Sequence, residues 1–163
     1  MDAWHNPTAA ERLEIISNTR SVAIVGMSAD PGRASHFVAT YLLSSSCSFE
    51  NVWFVNPRGG EILGHPVYPS LAELPGVPDL VDVFRRADQL PAVAEEVIAI
   101  PGTRTFWAQL GLHSAEAVEI VTNAGRTAVM SRCLKIEHAR FCGGLHLAGF
   151  DTGVISSTRR PLL

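Results

Sequence analysis

The segment Ser21-Val-Ala-Ile-Val-Gly26 is a short, nearly continuous run of apolar residues, mostly β-branched, closed by a glycine. A strand with one wet face alternates apolar and polar positions. A run without that alternation suits a strand covered on both sides, as in a parallel sheet between helices. The pattern returns at Asn51-Val-Trp-Phe-Val-Asn56, Asp79-Leu-Val-Asp-Val-Phe84, Thr103-Arg-Thr-Phe-Trp107 and Thr127-Ala-Val-Met130. Helical segments separate these runs. Ser35 stands ready to cap one that carries Phe37, Val38, Tyr41, Leu42 and Leu43 on its buried face. A short helix Ser70–Leu74 sits between Pro69 and Pro75, and Asp88 opens another through Val93, Ala94, Val97 and Ile98. Ser114–Ala124 and Leu134–Phe141 read as two more. At the start, Asn6 as cap and Pro7 at the first helical position open a helix carrying Leu13, Ile15 and Ile16, with Asn18 near its end.

Strands alternating with helices give an α/β fold: a Rossmann-like, open, mainly parallel five-stranded sheet with helices on both faces. Residues 1–142 read as that domain with its N-terminal helix, and 143–163 as a C-terminal tail. The tail carries glycines at 143, 144, 149 and 153 and ends in Arg159-Arg160-Pro161-Leu-Leu163. Its Arg159-Arg160 pair is expected to be solvated.

The chain has 163 residues, with 13 Lys+Arg against 16 Asp+Glu, so its net charge of −3 offers no general attraction to nucleic acid or an anionic membrane. Any anion site must be local. Three scattered cysteines, Cys47, Cys133 and Cys142, form no Cys-x-x-Cys pair and no disulfide framework, which fits a reducing cytoplasm. The N-terminus lacks the apolar core of a signal peptide, and no apolar run approaches the ~18 residues of a membrane span.

In open α/β sheets ligands bind beyond the carboxyl ends of the strands. The loop after the first strand is Gly26-Met-Ser-Ala-Asp-Pro-Gly-Arg-Ala-Ser35. It is either a plain strand-to-helix turn with a capping serine, or a phosphate site. For the second reading, Gly26 gives a sharp strand exit, Ser28 and Ser35 supply hydroxyls, Arg33 supplies charge, and the following helix N-terminus presents free amides. The second glycine of the dinucleotide fingerprint and the Walker lysine are both missing. After the second strand, where NAD-binding domains place a ribose-binding acid, the chain has Asn56-Pro57-Arg58. Arg58 is either a solvated turn residue or the partner of a ribose phosphate, as in NADP or CoA.

Val25-Gly-Met-Ser28, Pro31-Gly-Arg-Ala-Ser35, Val55-Asn-Pro-Arg58, Leu63-Gly64 with Tyr68-Pro-Ser-Leu71, Val81-Asp-Val-Phe-Arg85, Phe106-Trp-Ala-Gln-Leu-Gly111 and Arg132-Cys-Leu-Lys-Ile-Glu-His138 follow one another in order. Over roughly residues 10 to 140 the chain thereby resembles the small stand-alone CoA-binding proteins. Their domain is similar to that of succinyl-CoA synthetase and the ADP-forming acyl-CoA synthetases. Met27 departs from the small residue usual in the Gly-Ala-Ser form of the first motif, and is expected only to alter packing. The resemblance implies coenzyme A or an acyl-CoA as the ligand. Gly26, Met27, Ser28, Arg33 and Ser35 would form the pyrophosphate loop. Asn56, Pro57 and Arg58 would lie by the adenosine, with Arg58 near its 3′-phosphate. Phe84 and Arg85 would line the site over the nucleotide or the start of the pantetheine arm. Trp107, Gln109 and Gly111 would approach the pantetheine end.

The synthetases perform their chemistry with a phosphorylated histidine on a separate domain, and no second domain of that kind is read here. His36 and His138 are expected at the surface or in caps, and Cys133 as a buried packing residue. No metal-ligand motif, carboxylate dyad or nucleophile elbow occurs. The reading is therefore a cytoplasmic CoA-binding protein without catalysis of its own, with a protein partner or homo-oligomer as a further expectation. Trp53, Phe54 and the tail are candidates for such an interface. The alternatives are an NADP-dependent oxidoreductase, or a regulatory interaction module with a vestigial nucleotide site.

Overall fold

The structure, a computed structural model, describes residues 3–44, 47 and 49–142. The expected tail, 143–163, lies outside the described residues. In chain order the elements are α1 (Ala9–Ser17), β1 (Ser21–Val25), α2 (Ala34–Leu42), β2 (Asn51–Val55), β3 (Glu61–Ile62), β4 (His65–Tyr68), β5 (Leu80–Val83), α3 (Leu90–Ile98), β6 (Thr105–Ala108), α4 (Ala115–Asn123), β7 (Thr127–Val129) and α5 (Leu134–Cys142). The strands form one sheet in the order β3-β4-β2-β1-β5-β6-β7. Every neighbouring pair is parallel except β3 with β4.

The fold class is the expected one, but the sheet has seven strands rather than five. The two additional strands are a small hairpin in the stretch read as a proline- and glycine-broken connection. Its two-residue turn is Leu63-Gly64, both at positive φ (54° and 77°). Hairpins of this kind are recognised from Asn-Gly or Gly-Gly; a leucine in the first position hides the signal. Pro66 within β4 also argues against a strand by propensity.

Pleating divides the core in two. Ala23, Val25, Val81, Val83, Phe106 and Ala108 face one way and pack with the apolar stripes of α3 and α4. Val22, Ile24, Leu80, Trp107 and Val129 face the other way and pack with Ile16, Val38, Leu42, Leu134 and Phe141 of α1, α2 and α5. Helices thus cover both faces, which is why the central strands have no polar-out alternation.

Several local expectations change. Thr8, not Asn6, caps α1, through a reciprocal capping box with Glu11. Asn6 instead uses both ends of its amide on the backbone of Met130, tying the N-terminal segment to the end of β7. The residue preceding α2 is Arg33, and no side chain caps that helix; Ser35 is buried within its first turn. Phe37 is 61% exposed rather than buried. Phe54 is fully buried, so it belongs to the core and not to an interface.

His138 is fully buried as well, against the expectation of a surface or capping position. Its Nδ1 lies 2.9 Å from the Tyr41 hydroxyl, and its ring packs against Tyr41 and Phe49. Burial lowers its pKa. On the same helix Glu137 is buried; its Oε2 accepts from Arg12 Nε (3.0 Å) and forms an ion pair with Arg140 Nη2 (3.2 Å), fastening α5 to α1. Cys133 is buried in the apolar layer, as expected.

Candidate functional site

The topology sets the place. From β1 the chain moves outward to β2 on one side, then returns across the sheet to β5 on the other. At such a switch point the loops leaving adjacent strands diverge and open a crevice at the carboxyl edge. A groove of about 960 Å³ occupies this position. A second depression, at the amino ends of β6 and β7, is about a third as large and is lined by Glu11 and Glu14. Its two carboxylates outnumber its one arginine, Arg104, which makes it a poorer host for an anion than the first groove.

The β1 loop forms one wall, and its own hydrogen bonds hold its shape. The Ser28 amide donates to Ser35 Oγ (3.0 Å), the Asp30 amide to Ser28 Oγ (3.1 Å), and the Gly32 amide to Asp30 Oδ1 (2.9 Å). Both serines therefore act first as internal struts. What the loop presents outward is the first turn of α2, whose amides have no intrahelical acceptor and whose N-terminus no side chain caps. Gly26 makes the bend at φ +87°, where a Cβ would lie 2.7 Å from the Phe84 carbonyl oxygen. Only glycine lets β1 turn this close to the end of β5.

The second wall is the turn after β2. Asn56 bridges it to the β1 loop: its Nδ2 donates to the Met27 carbonyl (2.7 Å), and its Oδ1 accepts from the Arg58 amide (2.9 Å). The floor comes from Phe84 and Arg85 after β5 and from Gln109 after β6. Arg85 is steadied by Gln89, with Nε donating to Oε1 at 3.0 Å.

Of the eleven residues singled out from the sequence, Gly26, Ser28, Arg33, Ser35, Asn56, Arg58, Phe84, Arg85 and Gln109 line this one groove. Met27 and Pro57 do not. The Met27 side chain is wholly buried beneath the loop, and Pro57 projects to solvent in its turn. The Trp107 ring is also fully buried, with Nε1 donating to the Arg132 carbonyl (2.8 Å), so it supports the groove from below. Sequence reasoning missed Arg86, Asp30, Glu61, Ile62, Leu110 and Leu112. Arg86 was within reach of it as the second of two arginines at a strand exit. Glu61 and Ile62 arrive through the hairpin that the sequence conceals.

The electrostatics are local, as the composition requires. Arg33, Arg58, Arg85 and Arg86 line the groove against only Asp30 and Glu61, a balance of +2 on a chain of net −3. Among the described residues the lining contains no histidine, cysteine or lysine. Gln109 is 9% exposed, and its Oε1 has no hydrogen-bond partner among the described residues.

Residues 20–139 match the family described as the CoA binding domain. The chain belongs to the CoA-binding domain family. Over 134 residues this CoA-binding domain is 41% identical to the uncharacterised protein YneT of Bacillus subtilis, spanning 82% of the chain and 96% of YneT. It is 28% identical over 131 residues to an ADP-forming acetate–CoA ligase I of Archaeoglobus fulgidus, with 75% of the chain matching only 19% of that protein. Among solved structures it is similar to a hypothetical protein from Pyrococcus horikoshii (TM-score 0.77, 30% identity, covering 86% of this chain and 99% of that one). A Thermus thermophilus structure is comparably similar (TM-score 0.75, 32% identity, covering 83% and 99%). The uncapped α2 terminus and the four arginines suit an anionic ligand.

Proposed function

We propose that this chain binds coenzyme A or an acyl-CoA in the carboxyl-edge groove and serves as a binding protein rather than an enzyme. The observation that carries this reading is the convergence of four arginines and an uncapped helix N-terminus on one groove of an otherwise acidic chain. The first turn of α2 and Arg33 would receive the pyrophosphate. Arg58, exposed in the β2 turn, would meet the 3′-phosphate, with Asn56 holding that turn to the β1 loop. Phe84 and Arg85 would bear on the nucleotide or the start of the pantetheine arm, and Gln109 on the arm itself. Among the described residues the lining carries no histidine, cysteine or lysine, and its two serine hydroxyls are engaged by amides of the β1 loop, which favours binding over group transfer.

A thermal-shift series with CoA, acetyl-CoA, dephospho-CoA, NADP and NAD tests the reading. A ligand at ~100 times its Kd adds roughly 2.7 kcal/mol, which for a chain of this size raises Tm by roughly 5 to 10 °C. CoA is expected to give such a shift, and NAD none. Arg58→Ala is expected to weaken CoA about fivefold, the scale of one exposed charge contact, and to leave dephospho-CoA within about twofold. Equal loss for both ligands would sink the 3′-phosphate assignment. A shift with NADP alone would point instead to an oxidoreductase.

A further inference from the structure

Asp82 is the third residue of β5 and is fully buried, and among the described residues neither carboxyl oxygen has a hydrogen-bond partner. Its neighbours in register are Ile24 on β1 and Trp107 on β6, so it faces the apolar layer beneath α2 and α5. Gln109 lies two residues beyond Trp107, and its amide continues the ladder to the Val83 carbonyl at 3.2 Å. Pleating returns residues i and i+2 to the same face, so Asp82 and Gln109 are diagonal neighbours on adjacent strands, roughly 8 Å apart between Cα atoms. Two polar residues, each at least nine-tenths buried and, among the described residues, each with unpartnered oxygens, thus occupy diagonal positions on adjacent strands with no hydrogen bond between them in this structure. Gln109 lines the groove; Asp82 is wholly buried on the neighbouring strand.

Buried polar groups in a sound core are satisfied, and two orphans on one face most simply satisfy each other. We propose that Asp82 is a positioning residue: its carboxyl group pairs with the Gln109 side-chain amide and directs the second amide N–H into the groove, to donate to a carbonyl of the bound ligand. The pairing is that of a neutral acid with an amide. The acid O–H donates to Gln109 Oε1, and the acid carbonyl accepts one of the two Nε2–H groups. Every orphaned oxygen is then used, and one donor remains for the ligand. A carboxylate could not fill this role. It has no proton to give, and a bare charge between Ile24 and Trp107 would be prohibitively desolvated. Burial indeed pushes the Asp82 pKa well above the usual carboxylate range.

This inference rests on the binding reading above for its ligand but not for the pair itself, and the experiment separates the two. Infrared spectroscopy at neutral pH on the full chain reports the carboxyl without any ligand. A protonated-acid C=O band is expected that disappears in Asp82→Asn and shifts in Gln109→Leu. Absence of that band, or a band indifferent to Gln109→Leu, would overturn the pair. CoA titrations then test the positioning. Gln109→Leu and Asp82→Leu are each expected to weaken binding about tenfold, the scale of one good hydrogen bond. The double variant is expected to lose no more than either alone, and Asp82→Asn, which can still pair with an amide, to restore affinity to within about threefold of the parent. Additive losses, or an Asp82→Asn as weak as Asp82→Leu, would overturn the positioning role. If the parent protein binds no CoA, the binding reading and the ligand half of this inference fall together, and the infrared band alone decides the pair.

Discussion

Gly26 and Asp82 show how much single positions contribute to this groove. At Gly26 any side chain meets both an unfavourable φ and a carbonyl oxygen at 2.7 Å. Gly26→Ala is expected to cost about 2–3 kcal/mol, as left-handed strain adds to the displacement of β5. Thermal unfolding would show it as a drop in Tm of roughly 5 to 10 °C. Asp82 acts through pH. Its folded pKa lies above the unfolded value of ~3.9, so its neutral form contributes fully below that value. The contribution is lost as pH rises towards the folded pKa, at most about 1.4 kcal/mol per pH unit. Asp82→Asn is expected to be more stable than the parent at pH 8, with the gap closing toward pH 4 in urea titrations. His138 acts oppositely: its lowered pKa means that stability falls as pH drops below ~6.5. The Asp82→Asn comparison isolates the carboxyl from this second effect.

Between elements, the most consequential contact is one no periodicity announces. Arg12 of α1 and Arg140 of α5 share the Glu137 carboxylate, all three side chains being almost fully buried. Removing the carboxylate leaves two buried guanidinium groups beside each other. Glu137→Ala is therefore expected to cost about 3–5 kcal/mol, measurable by denaturant unfolding. Glu137 and Arg12 are 125 residues apart, and a charged residue in an amphipathic helix reads as solvated unless its partner across the fold is known. The same limit hid the burial of His138, whose surroundings are Tyr41 on α2 and Phe49 ahead of β2. By contrast, α4 was legible residue by residue. Ser114 is its cap, accepting from the Ala117 amide at 3.1 Å. Ser114→Ala is expected to lower stability by about 1 kcal/mol.

At the scale of the molecule, a positive groove on a negative chain should make ligand binding sensitive to salt, because exposed guanidinium groups are screened over roughly 8–10 Å at physiological strength. CoA affinity is expected to fall steadily between low and high ionic strength, and NAD to show no comparable trend. The sequence by itself determined the α/β class, five of the parallel strands and their exits, because a strand buried on both faces and a glycine-led turn are local facts written in consecutive residues. Of the eleven residues chosen from those exits and from the family resemblance, nine line one groove. Tertiary structure alone decided the edge hairpin, the burial of Met27 and Trp107, the Arg12–Glu137–Arg140 cluster and the adjacency of Asp82 to Gln109. Each of these depends on which strand lies beside which and which helix covers which face, and such pairings bring together residues that share no window of sequence.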